Sequence, residues 1–509
     1  MDASVRLVES STKHAVTALR YRPEVDGLRA IAVILVILFH ARLPLAPGGF
    51  VGVDVFFVVS GFLITGLLAQ ELQATGTVRL VGFWARRARR ILPAAILVLF
   101  ASLALAAPVL EPLQRVAALR DFAAAAVYIL NWFLARRATD YFDIETDPSL
   151  YLHYWSLSIE EQFYVVWPLL ILAAVFIASK YRRPPRLIAL SIAVTAASFA
   201  LCVYLSSRNQ PLAFFGTLSR AWELSLGATV ALIKLPHLSA RVRARLCGVG
   251  LIAVLVAGAA FTESMTFPGA AALLPTVGTA LILAGGRDVP IGGPLDKALG
   301  STVPVYLGKR SYSWYLWHWP VLLIGGAIFG SNPLTVTGLV VVSLLLADLT
   351  YRFVEQPFHI SPYFTRNALA SVVAGVTVSL GAAGFALLAQ KTFARPVILL
   401  SSGQKLCLLQ SGTSVVLLHG APPMPVDPRQ CLLANPGHEE KCSWPKVKTR
   451  FPRGSYDDPR VLNFGLTAAI CPGAVCELVR DGMIVMRDKA HMTASFPLSL
   501  APLFKPLFD

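Results

Sequence analysis

Three sets of residues in this chain have types and spacings that can do chemistry. The first is Arg29 and His40, eleven residues apart in the stretch LRAIAVILVILFHARLPL (28–45), whose only other charged residue is Arg42. At about 1.5 Å of rise per residue the two stand roughly 16 Å apart on one helix. In a hydrocarbon core about 30 Å thick, an Arg29 at one face puts His40 near mid-depth, where an ionisable group is costly and a functional role is the default reading. The plainer reading is a histidine near a helix end that, with Arg42, reaches for the interface.

The second set is Arg86-Arg87-Ala88-Arg89-Arg90. Arg86 with Arg89, and Arg87 with Arg90, are three apart, so each pair shares one helical face. Guanidinium groups so spaced suit phosphates; a plain topological anchor is the competing reading. The third set is polar residues in or beside apolar stretches. Arg220 and Glu223 are three apart and can pair, either structurally or around a substrate. Asp54 and Ser60 lie in a second apolar stretch. Tyr312, Ser313 and His318 belong to SYSWYLWHWP, where an interfacial aromatic belt accounts for the indoles but not for Ser313 or His318. His153, Glu160 and Glu161 follow the acidic run Asp140, Asp143, Glu145 and Asp147 in a loop read over 136–162.

The elements that must position these groups are membrane helices. Of 509 residues, 55% are hydrophobic and 15% charged, which excludes an ordinary soluble globule and makes the lipid bilayer the chief partner. The net charge of +16 fits cytoplasmic loops rich in Lys and Arg. No basic stripe with interleaved aromatics lies in a polar region, so nucleic acid is not an expected partner. Apolar stretches predict an all-α polytopic bundle of about eleven transmembrane helices, at 28–45, 51–69, 91–110, 163–178, 187–205, 213–233, 246–261, 270–284, 312–329, 334–349 and 368–389. A further run, 122–135, is too short to cross and is read as interfacial or re-entrant. If it does not cross, every basic cluster falls on the side of the N-terminus, as the positive-inside rule asks.

The chain then divides into a cytoplasmic tail (1–21), a transmembrane domain (22–390) and an extracytoplasmic tail (391–509). The first tail is polar and lacks a small-residue cleavage site. Five of the seven cysteines (Cys407, Cys431, Cys442, Cys471 and Cys476) lie in the last tail, which points to disulfides and an oxidising compartment. Its turns and short apolar runs suggest a small α/β piece.

Read together and in order, GFVGVDVFFVVSGFLIT, FWARRARRILP, LHYWSLSIEEQFYVVWP, SRAWELSLG, GKRSYSWYLWHWP and YRFVEQPF, with the Arg29–His40 pair ahead of them, resemble the membrane-bound acyltransferase-3 family. The resemblance covers about residues 21 to 360. It implies a bacterial inner-membrane enzyme that moves an acyl group, usually acetyl, onto an extracytoplasmic sugar of lipopolysaccharide, capsule or peptidoglycan, including lipid-linked sugars. The implied donor is cytoplasmic acyl-coenzyme A, with no bound cofactor and no metal. On that resemblance His40 takes the proton of the attacking hydroxyl or carries the acyl group. Arg29 and one of the Arg-x-x-Arg pairs face the donor, and Glu160 or Glu161 orients the base. Many relatives continue into an SGNH-type esterase domain. Here Asp488 and His491 resemble its late Asp-x-x-His block, but the Gly-Asp-Ser that would carry the nucleophile does not occur in the chain. The tail therefore reads as a truncated, degenerate remnant. The rival readings are a transporter in which His40, Arg220 and Glu223 line a proton or solute path, and an inactive relative.

The charge distribution predicts that reporter fusions at Leu205, Pro236 and Lys391 read outside, inside and outside. A cytoplasmic reading at Lys391 would contradict the eleven-span arrangement.

Overall fold

The computed structural model describes residues 21–110, 112–139, 148–233, 238–286 and 294–393, and beyond them six short strands between 415 and 484. Two compact units result, 1–393 and 394–509. In the second, Val415–His419 pairs in parallel with Val461–Gly465, and two pairs of two-residue strands are antiparallel. These pieces alone do not establish an α/β fold. The acidic run 140–147, Cys407, Cys431, Cys442, Cys471, Asp488 and His491 lie outside the described residues.

Every regular element among the described residues of the first unit is helical. In chain order its helices are α1 (Pro23–His40), α2 (Gly52–Thr75), α3 (Leu80–Ala106), α4 (Pro112–Ala126), α5 (Leu130–Thr139), α6 (Tyr154–Lys180), α7 (Leu187–Arg208), α8 (Gln210–Phe215) and α9 (Thr217–Leu232). They continue as α10 (Ala240–Ala260), α11 (Leu273–Gly285), α12 (Pro294–Leu299), α13 (Thr302–Phe329), α14 (Pro333–Thr350), α15 (Gln356–Ile360), α16 (Pro362–Arg366) and α17 (Ala368–Phe393). Start signals are ordinary ones. Pro23 and Pro333 stand in first turns, where a missing N–H costs nothing. Asn209, Ser239 and Asn332 cap α8, α10 and α14 through their side chains. A π turn, Tyr351–Glu355, follows α14 and runs into Pro357.

Among the described residues seven helical stretches are long and apolar enough to cross a membrane, and Gly269–Gly285 is a shorter apolar one. Three of the eleven predicted spans correspond to helices outside those seven for other reasons. Helix α1 carries Glu24, Asp26 and Arg29; α9 has 16 residues; α13 is diluted by Lys309, Arg310 and a run of Ser, Tyr and Trp. Several helices also begin well before their apolar part: α3 eleven residues earlier than predicted, α6 nine and α13 ten. Helix α1, by contrast, stops at His40, five residues before the predicted end and ahead of Pro44 and Pro47, so His40 occupies its last turn. The 122–135 run is split between α4 and α5, each too short to span. They are locked together by two hydrogen bonds from Arg137 to the buried Asp121 carboxylate, at 2.6 and 3.1 Å.

Two close approaches set the frame. Helices α1 and α13 run side by side and parallel, touching through glycine: a Cβ on Gly308 would lie 1.9 Å from the Asp26 carbonyl oxygen. Helices α2 and α9 meet at Gly227, where a Cβ would lie 2.0 Å from the Val58 carbonyl oxygen. Small residues at such crossings let helix backbones pack directly in lipid. The α2–α9 contact also encloses Arg220, which pairs with Asp54 at 3.2 Å and with Glu223 at 2.9 Å, all three at most 1% exposed. The rings of Phe57, Trp155, Phe214 and Phe267 stand 5.6 to 5.8 Å from the guanidinium carbon.

One guanidinium thus compensates two buried carboxyls, so removing it alone should be severe. Arg220→Met is expected to cost about 3–5 kcal/mol, read as a large loss of thermal stability in detergent. The triple replacement Asp54→Asn, Arg220→Met, Glu223→Gln should recover most of it.

Candidate functional site

Helices α1, α6 and α13 each contribute polar side chains to two layers of the bundle. On α13, Tyr312 and His318 are six residues apart; along α6, which runs the opposite way, Glu160 is seven residues beyond His153, the residue that immediately precedes the helix. Six or seven residues are about two turns, roughly 9–11 Å. Helix α1 spans the same interval and a little more, from Arg29 to His40.

The first layer is a group of histidines. His40 Nδ1 is 3.0 Å from His318 Nε2, and His318 Nδ1 is 2.6 Å from the Tyr315 carbonyl oxygen. His318 is fully buried, while His40 at the helix end is part-exposed beside the Trp319 ring, 4.8 Å away. Trp319 is held by an Nε1–H···O bond of 2.9 Å to Ser149. The His153 ring lies 5.7 Å from that of His318 and is 1% exposed. Neither of its ring nitrogens has a hydrogen-bond partner among the described residues.

The second layer is a chamber of about 80 Å³ lined by Arg29, Arg87, Arg90, Ser60, Glu160 and Glu161, among others. Ser60 donates to Glu160 at 2.7 Å, and Tyr312 donates to the Ile91 carbonyl at 2.8 Å. The Arg87 guanidinium lies over the Tyr164 ring at 4.9 Å. Towards the histidines the chamber ends at Ser156 and Tyr315, whose hydroxyls bond at 2.7 Å, with Tyr315 also donating to the His153 carbonyl at 3.1 Å. Away from them, a cavity of about 530 Å³ shares Arg29, Arg87 and Arg90 with the chamber and adds Lys309, Glu355 and His359. Its volume is that of a small-molecule site.

The structure places differently the residues that sequence spacing treats alike. Of the two arginine pairs, Arg87 and Arg90 line both spaces. Arg86 is on the far side, half-exposed and paired with Glu71 at 3.2 Å. Arg89 donates to the Phe364 carbonyl at 2.8 Å and tethers α16. Arg29 borders the cavities and is also paired with Asp26 at 3.2 Å. Glu160 and Glu161 sit two turns inside α6 rather than in a loop, because α6 begins at Tyr154. They face arginines, and the side chain bonded to His40 is His318 instead. Ser313 lines neither space but donates at 2.8 Å to Glu355, which lines the cavity. Asp54, Arg220 and Glu223 form the separate pin between α2 and α9.

Sequence reasoning did not single out Ser156, Tyr315, Tyr164 or Glu355 as site residues. Ser156 lies in the first turn of α6, ahead of the predicted span; Tyr164 and Tyr315 lie inside predicted spans, where they read as part of the apolar face, and Glu355 lies in the π turn after α14.

A family model described as an acyltransferase domain matches residues 22–352. A Staphylococcus aureus (strain MSSA476) protein provisionally named an O-acetyltransferase is 33% identical over 352 residues, 67% of this chain and 58% of its own length. A Bacillus subtilis (strain 168) protein provisionally named peptidoglycan O-acetyltransferase YrhL is 32% identical over 66% of this chain and 55% of its own. The S. aureus (strain NCTC 8325) protein named O-acetyltransferase OatA is 32% identical over 66% and 57%. The chain thus spans somewhat over half the length of these relatives. No solved structure matches.

Proposed function

The chain belongs to the acyltransferase-3 family of multi-helical membrane proteins, and from that premise we propose that it is an O-acetyltransferase acting on a cell-surface glycan, with acetyl-coenzyme A as donor. The observation that carries the reading is the continuous order of groups along α1, α6 and α13. A basic cavity with Arg87, Arg90 and Lys309 leads to a polar chamber, which ends at a hydroxyl pair beside His153 and His318, the latter bonded to His40.

In this reading the N-terminus and the basic cavity face the cytoplasm of a bacterial inner membrane, about eleven helices cross it, and the tail from 391 is extracytoplasmic. Arg87 and Arg90 hold the donor's phosphates through charge-assisted bonds. The pantetheine arm runs through the chamber past Ser60 and Glu160. The Ser156–Tyr315 hydroxyl pair must part for the thioester to reach the histidine layer. There the acceptor hydroxyl gives its proton to His40 Nε2 as its oxygen bonds to the acyl carbon. The carbon–sulfur bond breaks, and the thiolate takes the proton from His40, leaving the ester, free coenzyme A and a neutral imidazole. A peptidoglycan acceptor is supported by the name of the B. subtilis relative. A transporter reading has less support, since Arg220 and Glu223 lie in a closed pin rather than beside His40.

The test is acetyl transfer, scored by mass spectrometry of surface glycans from cells and by coenzyme A release from protein in nanodiscs. His40→Gln should lower the rate by about 10²–10⁴-fold with intact expression, the usual range for a lost acid–base group. Arg87→Ala with Arg90→Ala should raise KM for acetyl-coenzyme A by about tenfold or more, near 1.4 kcal/mol, whereas Arg86→Ala with Arg89→Ala should leave it within about threefold. Near-normal acetylation in His40→Gln would refute the mechanism, and the reverse order of the arginine pairs would refute the cavity assignment.

A further inference from the structure

The partner of His40 has a consequence for which of its nitrogens can react. We propose that His318 is a positioning residue for the transfer, holding His40 in the tautomer that leaves Nε2 free to accept the hydroxyl proton. The proposal rests on the reading of His40 as the base.

The Tyr315 oxygen that faces His318 Nδ1 at 2.6 Å is a backbone carbonyl and can only accept, so Nδ1 of His318 carries a hydrogen. This bond is made within a single turn of α13, which ties the ring to the helix backbone. A neutral His318 then has its lone pair on Nε2, which faces His40 Nδ1 at 3.0 Å. The single hydrogen between the two rings therefore sits on His40 Nδ1, and the lone pair of neutral His40 is on Nε2. The hydrogen bond made by one ring nitrogen fixes the state of the other. An isolated imidazole prefers its hydrogen on Nε2, so without His318 the basic nitrogen would mostly be Nδ1, which points into the bundle.

The bond also suits the reaction. When Nε2 takes a proton, Nδ1–H still donates to His318, now from a cation, and charge-assisted bonds are about twice as strong as neutral ones. No hydrogen has to move between the two rings in the cycle. The part-exposed Trp319 and Phe39 rings, 4.8 and 5.2 Å from the imidazole, flank His40 without offering a polar partner of their own to Nδ1. In a serine-protease triad, loss of the tautomer-fixing partner lowers kcat about 10⁴-fold.

The experiment is nitrogen NMR of histidine-labelled full-length protein in nanodiscs, with His40→Gln and His318→Gln used to assign the two rings. In the native protein both His40 and His318 should carry hydrogen on Nδ1. His318→Leu should shift His40 mainly to hydrogen on Nε2 and lower the acetyl-transfer kcat about 100-fold or more, with KM for acetyl-coenzyme A unchanged. His318→Gln, whose side-chain oxygen can accept from Nδ1–H, should keep the native tautomer and recover at least about tenfold of that rate. A native His40 with hydrogen on Nε2, or a leucine variant that keeps either the native tautomer or the native rate, would overturn the proposal. The tautomer is read without turnover, so inactivity of every form would count against the transfer reading while the spectra still decide the positioning.

Discussion

The hydrogen bond between His40 and His318 exists only if α1 and α13 lie parallel and in one register. Much of the helical unit serves that constraint. Gly308 lets the two backbones touch near their first turns, and a side chain there would collide with the Asp26 carbonyl. Along α13, Trp314 and Trp317 donate to Ser343 and Thr350, which ties the helix to α14 on its other side. Arg310, near the base of α13, is bonded to Asp348 of α14. With one flank of α13 fixed to α14 and the other to α1, the His318 ring has one place to go.

The same arrangement explains the uneven distribution of polarity. Helices that fit the composition of a simple membrane span, such as α7, α10 and α17, have few buried side chains and broad apolar faces. Helices α1, α9 and α13 carry Arg29, His40, Arg220, Glu223, Arg310 and His318, and their polar groups find partners inside the protein rather than in water. Ionisable groups within a bundle are costly unless paired, so each occurs with a named neighbour. His153 is buried next to His318, and neither of its ring nitrogens has a hydrogen-bond partner among the described residues.

The helical class of the fold, and several of the residues that line the cavities, were legible in the sequence for different reasons. Apolar stretches marked where helices meet lipid, so most predicted spans found a helix, but hydropathy says nothing about the polar halves that helices bury against each other. That is why α3, α6 and α13 begin nine to eleven residues before their apolar parts, and why Glu160 lies inside a helix instead of in a loop. The i, i+3 spacing fits Arg86 with Arg89 as well as Arg87 with Arg90, and only tertiary packing shows that the second pair faces the cavity. Spacing also foresaw the Arg220–Glu223 contact, but not that Asp54 completes it from α2. Residues 1–20 and most of 394–509 lie outside the described residues, and the readings made of them stand as expectations.

The central claim is that one path joins the basic cavity to His40. The most direct measurement is a cryo-electron microscopy structure of the protein with a non-hydrolysable thioether analogue of acetyl-coenzyme A. The account predicts phosphates against Arg87 and Arg90, the arm in the chamber, Ser156 and Tyr315 parted, and the acyl-mimicking carbon close enough to His40 Nε2 to leave room for one hydroxyl, about 4–6 Å by the near-attack distances of such reactions. An analogue that binds elsewhere, or whose reactive end stops below an unbroken Ser156–Tyr315 pair, would contradict it.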